Sequence, residues 1–170
     1  MSGSFGLSGA IMIGPAPRAM AGLGLFGFVA FDRASPLSLA LRATAAYYGR
    51  GDISETGGVA DFSLGVVGLD VCGLRLTAGP VSSRACAAGR VGRLAASGSN
   101  TYDPQSNGRF FASIGSSVLG TLTLPSACEL AAEAEVGWAL TRSEFAFDPN
   151  VFCQTSPLVF TFGVGIGRRF

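Results

Sequence analysis

Three stretches of this chain alternate bulky apolar residues with small or polar ones at a period of two. In 158–170 one parity reads Leu158, Phe160, Phe162, Val164, Ile166, Arg168 and Phe170. The other reads Val159, Thr161, Gly163, Gly165, Gly167 and Arg169. The pattern recurs in 37–48, where Leu37, Leu39, Leu41, Ala43, Ala45 and Tyr47 oppose Ser38, Ala40, Arg42, Thr44, Ala46 and Tyr48. In 129–140, Leu130, Ala132, Ala134, Val136, Trp138 and Leu140 stand against Glu129, Ala131, Glu133, Glu135, Gly137 and Ala139. A helix over 129–140 would bring Val136 and Leu140 onto the side of Glu129 and Glu133, so no coherent apolar face would form. Period two is the signature of strands with two unlike faces.

Turn residues divide the rest of the chain in the same way and predict eight strands, at 5–14, 18–31, 37–48, 58–71, 84–97, 109–123, 128–142 and 157–170. A transmembrane helix needs about 20 largely apolar residues. The longest uncharged runs, 110–128 and 149–167, are broken by Gly, Pro, Ser and Thr. With an even number of strands both termini fall on one side. Connections 32–36, 72–83 and 124–127 are expected on that side. Connections 15–17, 49–57, 98–108 and 143–156 are expected on the other. Short turns on the terminal side and longer loops opposite are the outer-membrane arrangement. The expected fold is therefore all-β, an eight-stranded antiparallel up-and-down transmembrane β-barrel formed by a single domain, 1–170.

Composition decides which face looks outward. Of the 170 residues, 48% are hydrophobic and only 14% charged, against about 25% charged in an average soluble domain. A soluble ligand-binding barrel of the lipocalin kind would put the apolar parity inside and clothe its outer wall in charge. Here the non-bulky parity is Gly, Ala, Ser and Thr with few charges, too sparse to solvate a whole wall. An eight-stranded barrel has a bore just wide enough for side chains to fill, and small residues with a few Arg and Glu suit it. The Leu, Phe and Val parity suits hydrocarbon. Strands one, two and five are ambiguous. In strand two, Leu23, Leu25, Val29 and Phe31 compete with Phe26 and Phe28 for the outside.

On these features the chain resembles the small eight-stranded bacterial outer-membrane barrels, most closely the Gly-, Ala- and Arg-rich single-barrel proteins of myxobacteria and related high-GC bacteria. The resemblance spans the chain and rests on pattern, with its sharpest element in 158–170, which ends on the aromatic Phe170. In that family the last strand is read by the barrel-insertion machinery. The resemblance therefore implies Phe162, Val164, Ile166 and Phe170 as an insertion signal, and outer-membrane lipid and that machinery as partners. Arg168 departs from the pattern, where an apolar or aromatic residue is usual.

The candidate chemistry is thin. Net charge is +1 and all 12 basic residues are Arg, which gives no pull toward nucleic acid. No His is present, removing the commonest general base and metal ligand. The chain is expected to be no enzyme and to hold no cofactor or metal. Gly22, Gly24 and Gly27 spell a GxGxxG, but the mechanism needs a helix after the glycines, and 28–31 reads as strand. Arg50, Gly51 and Asp52 form a tripeptide in a predicted loop, which loop chemistry explains by itself. Arg42, Asp61, Arg90, Glu133 and Glu135 fall on the predicted lumen parity and are expected to form an internal charge network. Tyr47, Tyr48, Tyr102, Phe110, Phe111 and Trp138 are expected in an aromatic girdle at the loop-side interface. Phe145, Phe147 and Phe152 crowd the last loop. The start of the chain shows no basic segment followed by an apolar one, and a signal peptide is expected to have been removed.

Four cysteines without a CxxC point to an oxidising compartment rather than zinc. Cys72 and Cys86 flank the connection between strands four and five. Closing a loop of this size stabilises by about 3 kcal/mol in the chain-entropy model, and a Cys72–Cys86 disulfide is expected. Cys128 and Cys153 are separated by the whole of strand seven and are not expected to pair. The role expected of such a chain is an integral barrel with a largely occluded polar lumen and a structural or interaction function. The alternatives are a narrow-pore transport protein and a soluble ligand-binding barrel. The sequence names no specific protein partner.

Overall fold

Ten strands form in chain order: β1 (Ser2–Ile13), β2 (Met20–Ala30), β3 (Leu37–Glu55), β4 (Gly58–Ala78), β5 (Val81–Ser99), β6 (Ser106–Thr123), β7 (Cys128–Ala139), β8 (Glu144–Phe147), β9 (Asn150–Gln154) and β10 (Leu158–Arg169). This computed structural model describes residues 1–31, 36–55, 58–99, 106–142, 144–147 and 150–170. Backbone alone is described at 52–55, 58–60, 98–99, 106–107, 144–147 and 150–154. Eight of the strands close into an antiparallel barrel in the order β1, β10, β7, β6, β5, β4, β3, β2, and β8 pairs with β9 as a separate hairpin. The ring is sealed by β1 against β10, from Ser4 opposite Arg169 to Ile13 opposite Phe160. Phe170 adds a reciprocal pair of backbone bonds with Gly3, at 3.1 and 2.9 Å. Its ring approaches that of Phe5, with centroids 6.4 Å apart.

The alternation read from the sequence becomes an inside and an outside. Along β10 the exposed positions are Leu158, Phe160, Phe162, Val164, Ile166 and Arg168, while Val159, Thr161 and Gly167 are buried. Phe162, Val164, Ile166 and Phe170 are all more than half exposed, at 53%, 68%, 54% and 78%. The ambiguous strands resolve the same way. Phe5, Leu7 and Ile11 of β1, Leu23 and Leu25 of β2, and Val91 of β5 face outward, and Phe26 of β2 is buried within. The outer wall is a continuous apolar surface, the reverse of a water-soluble barrel.

Three features depart from the sequence reading. The stretch 72–83 is not a connection: β4 runs to Ala78 and β5 begins at Val81, joined by Gly79 and Pro80 with Gly79 at φ +60°. Gly at the first central position of a two-residue hairpin is what such a turn demands. A register shift between Cys72 and Leu74 reverses the parity there, which hid the strand. Secondly, β3 to β6 are long, at 19, 21, 19 and 18 residues. The β1, β2, β7 and β10 strands hold 12, 11, 12 and 12. Residues 49–55 of the predicted loop 49–57, and 98–99 and 106–108 of the predicted loop 98–108, are therefore strand. Thirdly, the last loop folds into the β8–β9 hairpin, whose side chains, with Phe145, Phe147, Phe152 and Cys153 among them, lie outside the described residues, as does Tyr102.

The exposure of β10 generates an expectation for assembly. Ile166→Asp with Phe170→Asp should abolish the folded barrel in lipid vesicles while leaving synthesis intact. A charge on the lipid face costs up to about 2–4 kcal/mol at mid-depth, less for Asp and less near the interface, and the double variant places two of them on the strand that closes the ring. Recovery of the double variant at wild-type yield, measured by heat-modifiable gel mobility, would place that parity elsewhere.

Candidate functional site in the barrel lumen

The bore is filled in layers. At the loop end Met12, Tyr48, Phe62, Leu64 and Phe111 belong to one apolar cluster. At the terminal end Ala40, Cys72, Cys86, Leu119 and Ala131 belong to another, with Phe28 against it. Between them five charged side chains meet, delivered by four strands. Arg42 comes from β3, Asp70 from β4, Arg90 from β5, and Glu133 and Glu135 from β7. In a ring of eight, β3 and β7 stand four places apart, so contacts between them cross the bore.

Arg90 is the hub. Its Nη1 donates to Asp70 Oδ1 at 2.6 Å and its Nη2 to Glu133 Oε1 at 3.0 Å. Nη2 also lies 2.7 Å from Glu135 Oε2. Arg42 Nη1 donates to Glu133 Oε2 and stands 3.7 Å from Asp70 Oδ2. Arg42, Asp70, Arg90 and Glu135 are buried, and Glu133 is half-buried. Two guanidiniums thus hold three carboxylates. Such a cluster survives away from water only because each charge has an opposite neighbour; deleting one partner strands the rest.

The surrounding residues are chosen for fit. Gly68 sits directly opposite Arg90 in the β4–β5 ladder. A Cβ there would lie 2.5 Å from Arg90 Cδ, so only glycine leaves the guanidinium room to cross. Phe26, inward on β2, lies under Arg42 with the guanidinium 5.2 Å from its ring centroid. Phe28 lies under Arg84 at 5.6 Å. Cation–π contact explains why two phenylalanines face a charged bore.

Of the residues singled out by sequence, Arg42, Arg90, Glu133 and Glu135 meet here and Asp61 does not. Asp61 is exposed and shares the outward parity of Val67, Leu69 and Val71 in β4. No register shift falls between it and Asp70, so the two lie on opposite faces. Asp70 supplies the carboxylate on the inward face. Both faces of β4 are apolar, so alternation alone does not separate the parity of Asp61, expected in the lumen, from that of Asp70, which faces it. The cysteines held the missing signal: once Cys72 pairs with Cys86, the same register sets Gly68 against Arg90 and turns Asp70 inward. The disulfide itself is present between Cys72 and Cys86, and Cys128 is a free thiol.

The aromatic band also splits. Tyr47, Phe110 and Trp138 are exposed outside, at 62%, 63% and 52%, whereas Tyr48 and Phe111 are buried in the bore. The glycines of GxGxxG lie within β2, which continues as strand to Ala30, where a phosphate site would need a helix N-terminus. Asp70, Glu133 and Glu135 bring carboxylate oxygens within 4.8 Å of one another, close enough for a metal. Arg42 and Arg90 already occupy that space, and the cluster is an ion-pair network. At the loop end Arg18, Arg50, Arg93, Arg109 and Arg142 are exposed to solvent.

An eight-stranded antiparallel barrel, apolar outside and packed within, is the architecture of the small bacterial outer-membrane barrels, and comparison with solved structures gives the same answer. The chain is similar to a major outer membrane protein of Thermus thermophilus, at 15% identity and TM-score 0.68 over 100% of both chains. It is similar to Ail, the attachment invasion locus protein of Yersinia pestis, at 18% identity and TM-score 0.58, covering 99% of this chain and 97% of that one. Neisserial surface protein A aligns at 12% identity and TM-score 0.57, over 99% and 96%. At these identities the likeness is one of fold. No protein-family model matches the chain, and no curated protein matches it in sequence.

Arg90→Ala should destabilise the folded barrel by about 3 kcal/mol or more, because it leaves buried carboxylates facing one another. Asp61→Ala should cost less than about 1 kcal/mol, as for an exposed charge. Urea unfolding in lipid vesicles, followed by tryptophan fluorescence, measures both. Equal losses would contradict the inward and outward placement of the two strands' charges.

Proposed function

We propose that this chain is an integral β-barrel of a bacterial outer membrane, forming one domain, closed by its own side chains and serving a structural or interaction role. The observation that carries the closure is the ion cluster across the bore. The contact from Arg42 on β3 to Glu133 on β7 ties opposite walls together, and Arg90 on β5 links Asp70 on the adjacent β4 to Glu135 on β7. The cavities beside it are small. One of about 30 Å³ is lined by Arg42, Tyr48, Arg90 and Glu133, and another of about 70 Å³ by Arg84, Glu129 and Arg169 near the terminal mouth. Cavities of this size support a closed bore.

The outward apolar wall supports the membrane location. Lipid is then its principal contact, and β10, followed by Phe170, is the segment that would be offered to the insertion machinery. The absence of any histidine that could activate the hydroxyls of Ser8, Thr44 and Thr161 around the cavity beside the ion cluster favours a non-enzymatic role. An interaction role draws on the loop end, where the exposed arginines and the longer strands lie.

Reconstituted in a planar bilayer, the wild-type barrel should show no single-channel steps at moderate voltage. Steady conductance from the wild type would replace this reading with that of a narrow-pore transport protein. Recovery of a folded monomer without detergent would replace it with a soluble ligand-binding barrel.

A further inference from the structure

The Cys72–Cys86 disulfide lies on the inside of the wall. Cys72 has no exposed surface and Cys86 retains 6%. The two half-cystines sit in the apolar layer with Ala30, Ala40, Leu119 and Ala131, and Phe28 packs against that layer. On the loop side the ion cluster crosses the bore. On the terminal side Arg84 lies over Phe28 and donates to Ser38 O at 2.9 Å. The terminal-mouth cavity is lined by Arg84 and Phe28, and neither cysteine lines it. Laterally the paired strands β3 to β6 stand between the disulfide and the outside. Thiol–disulfide exchange requires the oxidant's own sulfur to reach the attacking thiolate, and no protein can deliver one into this bore.

The hairpin that carries the cysteines is, by contrast, local. Cys72 and Cys86 are 14 positions apart in sequence, face each other in the β4–β5 register, and need only the Gly79–Pro80 turn to meet. A hairpin forms in about 1–10 μs. Closing β1 on β10 requires pairing across nearly the whole chain and is intrinsically slower.

We propose that the Cys72–Cys86 bond is installed on the open chain, before the barrel closes, and that the β4–β5 hairpin is the substrate of an oxidising protein disulfide in the compartment the chain crosses on its way to the membrane. One cysteine thiolate attacks the oxidant's disulfide, forming a mixed disulfide and releasing one oxidant sulfur. The second cysteine thiolate then attacks the hairpin sulfur of that mixed bond, closing Cys72–Cys86 and releasing the other. Two electrons and the two thiol protons end on the oxidant, which leaves as a dithiol. Cys128 opens β7 on the parity of Leu130 and Ala132, which are exposed, so after closure its thiol is on the far side of the wall from this pair.

The full chain, oxidised and folded in detergent micelles, is exposed to a reduced protein dithiol, and formation of Cys72 and Cys86 thiols is followed by alkylation and mass mapping. The same reaction is run on the chain held open in urea. Reduction of the closed barrel should be at least about 100-fold slower, as expected when reaction waits on opening of the wall, while Cys128 is alkylated throughout as a control. In the second arm the chain is refolded in reductant. A reduced barrel that closes should resist the disulfide form of the protein oxidant by the same factor, and a chain that fails to close until oxidised equally supports the order. Reduction of the closed barrel within about tenfold of the urea rate, or prompt oxidation of a closed reduced barrel, overturns the proposal.

Discussion

A strand facing hydrocarbon has no water to satisfy its backbone, so every N–H and C=O along it must find a partner on a neighbouring strand. A row of strands with two free edges fails that demand, and a ring meets it. Here the ring is completed by β1 against β10 and finished by the paired bonds between Gly3 and Phe170. Everything else follows from that closure. Once the edges are joined, each residue is committed by parity to the lipid face or the bore, and a bore of eight strands has room for side chains and little more. The ion cluster, the disulfide and the inward phenylalanines share a narrow space because the chain has no other interior.

How much of this the sequence disclosed depended on how unlike the two faces of each strand are. In β10 and β7 one parity is bulky and the other is Gly, Thr or Glu, so direction and register were plain. In β2 both parities carry large apolar residues, because Phe26 and Phe28 serve as platforms for guanidiniums and not as lipid contacts. In β4 the inward Phe62, Leu64 and Val66 match the outward Val67, Leu69 and Val71 in character, so alternation alone does not tell that Asp70, and not Asp61, faces the bore. The bulge after Cys72 defeated pattern reading differently. It reverses the alternation for the rest of the strand, so 74–78 resembled a turn. What periodicity lost, pairing chemistry could have restored, since the disulfide fixes the register of the whole hairpin.

The bore is less uniformly polar than small side chains with scattered charges suggested. The charges are gathered into one stratum, with apolar strata toward each mouth. Glycine is part of that design: at position 68 the missing side chain is the space through which Arg90 reaches β7. Tyr48 and Phe111, which by sequence belonged to the girdle, instead help cover the cluster from the loop side.

Sandwiching the charges has a consequence for how the molecule answers to its surroundings. Dissolved ions screen only the charges they can approach, over about 8 Å at physiological ionic strength. Met12, Phe62 and Phe111 above, and Ala40, Cys72 and Leu119 below, keep counterions from the five charges inside. The arginines at the loop rim have no such cover. The protein therefore carries two electrostatic populations with separate sensitivities. Added salt weakens the field of the exposed rim arginines more than it weakens the contacts of the ion cluster between the two apolar layers.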